Sequence, residues 1–278
     1  MRIGLIAGNG QFPLLFSRAA REKGWEVYAA AYVNEAEPLL ADTVTALEWL
    51  HLGQVKRLVR FFKRHGVDQA VMLGGIRKTR MFTDVRPDLK AISLIAGMRS
   101  THDDGILSAF ADALEADGIR IRASTFLLPE LLAPEGCWTR RKPNRSENAD
   151  LLLGCRLAKA IGRLDIGQCV VVGGGSVLAV EAIDGTDATI RRGAALGQGN
   201  AVVVKACKPN QDRRFDMPAV GAQTVATMAE AGATALAVEC GQAVVFDRQD
   251  MIGLADRHGI AVVGIPMEEE DEPPIGRK

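Results

Sequence analysis

The segment from Lys205 to Gly221 reads K-A-C-K-P-N-Q-D-R-R-F-D-M-P-A-V-G and packs reactive side chains at close spacing. Lys205, Lys208, Arg213 and Arg214 stand among the carboxylates Asp212 and Asp216 and the amide of Gln211. Lys and Arg neutralise phosphate oxygens, and hard carboxylates hold Mg²⁺ or Mn²⁺. The mixture therefore suits a site that binds a polyanion and a divalent cation together. A solvated loop whose charges pair with one another is the other reading of the same residues. An apolar run at 201–204 leads in, and Pro209–Asn210 breaks any strand, so the segment is expected to leave a sheet as a loop.

The elements that must carry such a loop follow from pattern. Arg2–Ala7 reads as a buried strand running into Gly8, Asn9, Gly10 and Gln11, followed by a helix over 12–23 and a strand over 25–31. This is a β-loop-α-β unit whose glycine turn stands where helix amides receive an anion. It falls short of the dinucleotide fingerprint, because Pro13 occupies the third glycine position and no acid cleanly ends the second strand. A structural turn and a phosphate cradle both stand open there. The helix over 52–64 is basic and amphipathic, an ordinary surface helix. A third strand, 68–73, runs into Gly74 and Gly75 with Arg77 and Lys78 beyond. Ligands of open α/β sheets sit at the carboxyl ends of strands, so the two glycine turns are expected to share a crevice. Ser100–Asp104 precedes a helix over 105–117. It reads either as a cap or, through His102, Asp103 and Asp104, as ligand or metal groups.

Residues 129–148, with three prolines, four basic residues and no period, read as an interdomain linker. Ser146 is the expected cap of a helix over 147–164. The second half repeats the habit of a strand entering a glycine turn. A strand at 169–172 enters Gly173–Gly175, and a hairpin partner spans 177–183. A helix over 188–192 is then capped by Thr186 or Asp187, with a substrate contact open to the other. After the charged loop come a helix at 223–231, strands at 235–238 and 243–246, a helix at 248–257 and a strand at 260–265. The expected fold is α/β with a Rossmann-like N-terminal domain over 1–130, a linker over 131–148, an α/β catalytic domain over 149–266 and a disordered tail over 267–278.

Composition excludes several classes. The chain has 278 residues, 47% hydrophobic, with 34 basic and 34 acidic side chains, so no global field favours nucleic acid. Five widely spaced cysteines without a C-x-x-C pair fit a reducing cytoplasm and neither a disulfide framework nor a zinc site. No signal peptide or membrane-length apolar run is evident. There is no G-x-x-x-x-G-K-[ST] loop, no G-x-S-x-G elbow and no H-E-x-x-H. Four histidines leave any metal to carboxylates, which points to Mg²⁺ or Mn²⁺.

Five blocks, G-L-I-A-G-N-G-Q-F-P, L-G-G-I-R-K, T-H-D-D-G-I-L, V-L-A-V-E-A-I-D-G-T-D and K-P-N-Q-D-R-R-F-D-M-P-A-V-G, resemble the LpxI family of UDP-2,3-diacylglucosamine diphosphatases. The resemblance runs over about residues 3 to 265. It implies two α/β domains with ligand in the crevice between them, and a cytoplasmic, metal-dependent enzyme of lipid A synthesis. Its reaction would release UMP and 2,3-diacylglucosamine 1-phosphate (lipid X), with water attacking the sugar-side phosphorus. It ties Asp216 most closely to catalysis and suggests a homodimer. On that basis Asp216 is the expected metal ligand or water-orienting group, with Asp212 second and Asp103 and Asp104 as further metal ligands. Lys205, Lys208 and Arg214 would neutralise phosphate. Gln211 and Thr186 would contact substrate, and Gly8, Asn9, Gly10, Gln11, Gly74, Gly75 and Lys78 would meet nucleotide or phosphate. Residues 92–98 and Met81-Phe82 could accommodate acyl chains, against the alternative of core packing. Residues 140–145 are open to peripheral contact with the inner membrane or to a solvated linker. The competing class is a Rossmann-like protein that binds a nucleotide sugar or dinucleotide at Gly8–Gly10 without hydrolysis, which leaves Lys205–Gly221 without a role. A structural or partner-binding protein explains less of that loop.

Overall fold

The computed structural model describes residues 1–77, 85–97, 103–209, 211–212, 214–215 and 217–267, leaving aside the side chains of residues 95, 97, 103 and 104. Lys78, Met81, Phe82, His102, Arg213, Asp216 and the tail from residue 268 lie outside the described residues. The chain divides into two compact units, Met1–Pro129 with Asp212–Asp216, and Glu130–Gln211 with Met217–Lys278.

The first unit is built on strands β1 (Arg2–Ala7), β2 (Glu26–Tyr32), β3 (Ala46–Leu50), β4 (Gln69–Leu73) and β5 (Arg120–Ile121). They form one sheet in the order β3-β2-β1-β4-β5, and every pairing in it is parallel. That order is the doubly wound one, compatible with a Rossmann-like unit. Its helices are α1 (Phe12–Glu22), α2 (Val55–Arg64), α3 (Leu89–Gly97) and α4 (Asp103–Ala116). Adjacent strand residues such as Leu5 and Ile6 are both buried, as expected when helices cover both faces of a parallel sheet. Ile6, Tyr28 and Ala30 pack with Leu58 and Phe62 of α2 and Ala111 and Leu114 of α4. Phe215, distant in sequence, packs against the same cluster. Strand β3 and helix α3 were not foreseen in the pattern. β3 is only part-buried apart from Leu50, and its apolar run is interrupted by Glu48.

The second unit contains β6 (Gly136–Cys137), β7 (Cys169–Gly173), β8 (Ser176–Val180), β9 (Ala201–Lys205), β10 (Ala219–Val220), β11 (Ala233–Glu239), β12 (Val244–Val245) and β13 (Ala261–Ile265). Six of them make a mixed sheet in the order β6-β13-β11-β9-β7-β8, while β10 and β12 pair separately. Within that sheet only the β9–β11 and β11–β13 pairings are parallel; β7 pairs antiparallel with both β8 and β9. The helices are α5 (Arg145–Arg163), α6 (Thr186–Gly197), α7 (Ala222–Ala231) and α8 (Arg248–Arg257). Alternation divides the valine run of β9 between two cores. Val202 and Val204 join Leu151, Cys155 and Ala158 of α5, whereas Val203 joins Ile190, Met228 and Met251. Burying each valine, leucine, isoleucine or methionine among them contributes about 1.5–3 kcal/mol. Desolvation pushes the thiols of Cys155 and Cys169 up to about 12, which fits small buried side chains without reactivity.

The expected linker is instead part of this unit. β6 pairs antiparallel with β13, and the Trp138 amide donates to the Val262 carbonyl at 2.9 Å. The cap of α5 is Asn144, two residues before the expected Ser146. Its side chain accepts from the Glu147 amide at 2.9 Å while the Glu147 carboxylate accepts from the Asn144 amide at 2.8 Å. That capping box needs an acid three residues after the cap, a spacing Ser146 lacks. Similarly, α6 opens at Thr186 with Gly185 as its cap, and neither Thr186 nor Asp187 caps it.

Candidate functional site

Each unit gathers polar groups at the carboxyl edge of its sheet. In the first unit the loops after β1 and β4, the two strands flanking the switch in strand order, are fastened together. The Gly8 amide donates to the Leu73 carbonyl and the Asn9 amide to the Gly75 carbonyl, both at 2.8 Å. A Cβ on Gly8 would stand 2.3 Å from the Gly75 carbonyl oxygen, and one on Gly74 would stand 2.3 Å from that of Asn9. Gly74 also has φ +82°, so close approach and backbone conformation both demand glycine there.

Glu35, with a side chain 1% exposed, holds this junction from the loop after β2. It accepts from Asn9 Nδ2 at 3.0 Å and from Arg77 Nε at 3.2 Å, and the Arg77 guanidinium also donates to the Asn34 carbonyl. A cleft of about 470 Å³ opens beside it, lined in part by Asn34, Glu37, Trp49 and Arg77. In a dinucleotide fold the acid after the second strand holds ribose hydroxyls. Here the corresponding carboxylate is engaged with Asn9 and Arg77, which disfavours the dinucleotide alternative.

The second unit's edge carries charge. Strand β8 runs antiparallel to β7 and so ends where β9 and β11 end, which brings Glu181, Lys205 and Glu239 to one side. All three are buried. Glu181 accepts from the Thr186 hydroxyl at 2.7 Å and the Gln168 amide at 3.1 Å. Lys205 Nζ donates to the Ala219 carbonyl at 2.8 Å, tying together the two ends of the charged loop. Lys159 of α5 pairs with Glu239 at 2.7 Å, and the side chains are 7% and 4% exposed. Gln211 Oε1 accepts from the Lys208 amide at 3.3 Å, and Lys208 Nζ meets Asp165 at 2.7 Å.

Asp212 and Arg214 belong with the first unit. The Arg214 guanidinium forks the Asp212 carboxylate, with Nη2 to Oδ2 at 2.7 Å, and Nη1 reaches Glu115 at 3.1 Å. Burial alone would raise the Asp212 carboxyl, but the Arg214 guanidinium and backbone amide outweigh it and hold the group below the ordinary carboxylate range. The same pairing raises Arg214.

The structure thus brings Gly8, Asn9, Gly74 and Gly75 together at the first sheet's edge, with Gly10 and Gln11 next in the chain. It gathers Thr186, Lys205, Lys208 and Gln211 at the second. Arg214 pairs with Asp212 inside the loop, Lys208 pairs with Asp165 outside it, and Lys205 is buried against the Ala219 carbonyl. Asp103 opens α4, but its side chain and that of Asp104 lie outside the described residues, as do Lys78 and Asp216 altogether. Among the described residues no group of three or more His, Cys, Asp or Glu side chains could hold a metal ion. Asp212, the loop's described carboxylate, is committed to Arg214.

Sequence reasoning missed Glu35, Lys159, Glu181 and Glu239. A charge flanked by apolar residues was the available signal. Glu239 ends the run 233–238, and Lys159 lies between two alanines on the buried face of α5.

Two α/β units with loops and buried polar groups at the carboxyl edges of their sheets define a two-domain α/β protein with a ligand-binding architecture. The LpxI N-terminal domain matches residues 2–131 and the LpxI C-terminal domain residues 134–263. The chain belongs to the LpxI family. A relative from Caulobacter vibrioides, named UDP-2,3-diacylglucosamine pyrophosphatase LpxI, is 32% identical over 280 residues, covering 96% of this chain and 99% of the relative. Among solved structures, the biotin carboxylase domain of a single-chain bacterial carboxylase aligns with TM-score 0.27 and 16% identity, over 61% of this chain and 36% of that one. Phosphoribosylglycinamide synthetase from Anaerococcus prevotii aligns with TM-score 0.25 and 13% identity, over 66% of this chain and 39% of that one. The chain spans well under half the length of either, and likeness at this level carries no argument.

Proposed function

We propose that the chain hydrolyses the pyrophosphate bond of UDP-2,3-diacylglucosamine, giving UMP and 2,3-diacylglucosamine 1-phosphate. The observation that carries this reading is the match over nearly the full length of both chains to a relative bearing that activity in its name. Water's oxygen would bond to the sugar-side phosphorus, the bond from that phosphorus to the bridging oxygen would break, and UMP would leave with the bridging oxygen. The water proton passes to a base that Asp216 either supplies or orients.

The geometry supports separate roles. The cleft beside Arg77 and Trp49 suits the nucleotide end, with a guanidinium for phosphate and an indole for the base. Lys208 and Arg214 have side chains 23% and 29% exposed, leaving them accessible to phosphate oxygens. Buried Lys205 acts through the loop it ties. Helix α3 exposes Leu89 (81%) and Ile92 (51%), apolar surface of the kind a diacyl substrate needs.

Mg²⁺ or Mn²⁺ would neutralise charge on the pyrophosphate, with Asp216, Asp103 and Asp104 as the donors. The same reading makes the protein a cytoplasmic homodimer that meets its lipid at the inner face of the inner membrane. Among the described residues no helix is long and apolar enough to cross a membrane.

The test is UMP release from UDP-2,3-diacylglucosamine by the purified chain, with Mg²⁺ or Mn²⁺ and again with excess chelator. Metal-dependent UMP together with the sugar 1-phosphate is expected, and Asp216→Ala should lose at least about 1,000-fold in kcat while still binding substrate. A folded wild-type protein without turnover under any metal would overturn the reading.

A further inference from the structure

We propose that the buried pair Lys159–Glu239 is a positioning clamp for the reaction, holding the backbone of Cys207 and through it the loop that leads into Asp212 and Asp216. The inference rests on the reading of that loop as catalytic.

Strand β9 ends at Lys205, and the last sheet-like bond of this run is Ala206 N–H to the Gln168 carbonyl at 2.9 Å. At the next residue the neighbouring strand gives way to the ion pair. Glu239 Oε2 accepts from the Cys207 amide at 2.7 Å, and Lys159 Nζ donates to the Cys207 carbonyl at 3.1 Å. One buried pair thus satisfies both backbone groups of one residue. Beyond it the chain closes into a turn, with the Gln211 amide donating to the Lys208 carbonyl at 3.1 Å and the Cys207 thiol donating to Gln211 Oε1 at 3.4 Å. Gln211 is followed directly by Asp212. On the return side Lys205 holds the Ala219 carbonyl, so buried lysines fix both ends of the excursion.

Buried ion pairs are poor sources of stability, because desolvation offsets the attraction, and apolar pairs of similar volume often stabilise as well or better. Charge-assisted hydrogen bonds are, however, shorter and more directional than neutral ones. A pair retained at this position does what an apolar pair cannot: it sets where the loop backbone starts. A displacement of about 1 Å at a reacting centre costs on the order of 100-fold in rate.

The experiment compares the double variant Lys159→Met/Glu239→Leu with wild type in the UMP-release assay. Positioning predicts KM within about threefold and kcat lower by about 100-fold in the folded enzyme, with a Tm lowered by the loss of the side-chain partners of the Cys207 amide and carbonyl. A purely structural role predicts the opposite, with wild-type kcat in the folded enzyme, and that result overturns the proposal. Should the double variant not fold, Glu239→Gln, which keeps an acceptor for the Cys207 amide, is read by the same split of kcat from KM per folded molecule. Amide hydrogen exchange at Cys207, Lys208 and Gln211 provides a second readout, expected to accelerate in the double variant. Asp216→Ala is measured alongside. Wild-type turnover there would defeat the catalytic reading of the loop itself, whereas an inactive Asp216→Ala beside a fully active double variant would defeat only the clamp.

Discussion

The two units present loops from the same end of a parallel run of strands, yet they secure those loops by different physics. In the first, glycine lets one backbone touch another: Gly8 and Gly74 interlock, and Glu35 with Arg77 closes the junction from the side. In the second, the loop leaving β9 is held by buried lysines and a buried glutamate. Steric fastening tolerates no added atom, and the Gly8–Gly74 contact itself uses no charge, which enters only at its side through Glu35 and Arg77. Electrostatic fastening tolerates changes of shape but fails when one partner is removed. The first therefore suits an invariant cradle, and the second suits a segment whose start must be aimed.

The sharpest break in this comparison comes from Glu239→Ala. Leaving Lys159 buried without its counter-charge should cost about 3–5 kcal/mol, seen as a lower midpoint in urea unfolding, with part of the loss recovered when Lys159→Met is added. Gly74→Ala is next. Its positive φ and its contact with the Asn9 backbone should cost about 3 kcal/mol, and no second substitution of a charge should recover it. If Gly74→Ala proves neutral, the steric account of the first unit is wrong. Arg77→Ala should cost about 1–2 kcal/mol by removing the guanidinium that faces the buried Glu35 carboxylate, and should weaken UMP binding by calorimetry.

The smallest effect is a pH dependence. Burial would raise Glu147, but the Arg141 guanidinium and the Asn144 amide overcome this and bring it from 4.5 to about 2. A depressed carboxyl stabilises the fold above its unfolded value. The contribution is therefore present above pH 4.5 and is lost as pH falls toward 2. Glu147→Gln should flatten stability across that window, while variants of Gly74 should leave its pH dependence unchanged.

Most elements were legible as period and punctuation. β1 spans Arg2–Ala7 and α8 spans Arg248–Arg257, both as read from the sequence, because apolar runs and amphipathic stripes report burial on a fixed set of faces. The site was legible in part. Glycine turns after β1 and β4 stood out, since turn chemistry is local. Glu35 did not, because an acid three residues beyond a strand acquires meaning only when Asn9 and Arg77 are brought to it. Asn144 likewise lost to Ser146 in the sequence reading until the reciprocal bond with Glu147 was visible.

By itself the sequence determined the class of fold, most of its strands and helices though not β3, α3 or β6, the charged loop at 205–221 and the family to which the chain belongs. These are properties of local pattern and of ordered motifs. Only the tertiary structure decided which charges are spent on one another. It assigned Asp212–Asp216 to the first unit, paired Lys208 with Asp165 and Arg214 with Asp212, and set Lys159 against Glu239 across 80 residues of chain. Pairing of that kind depends on distance and desolvation in the folded molecule, and neither quantity is written in the spacing of residues along the chain.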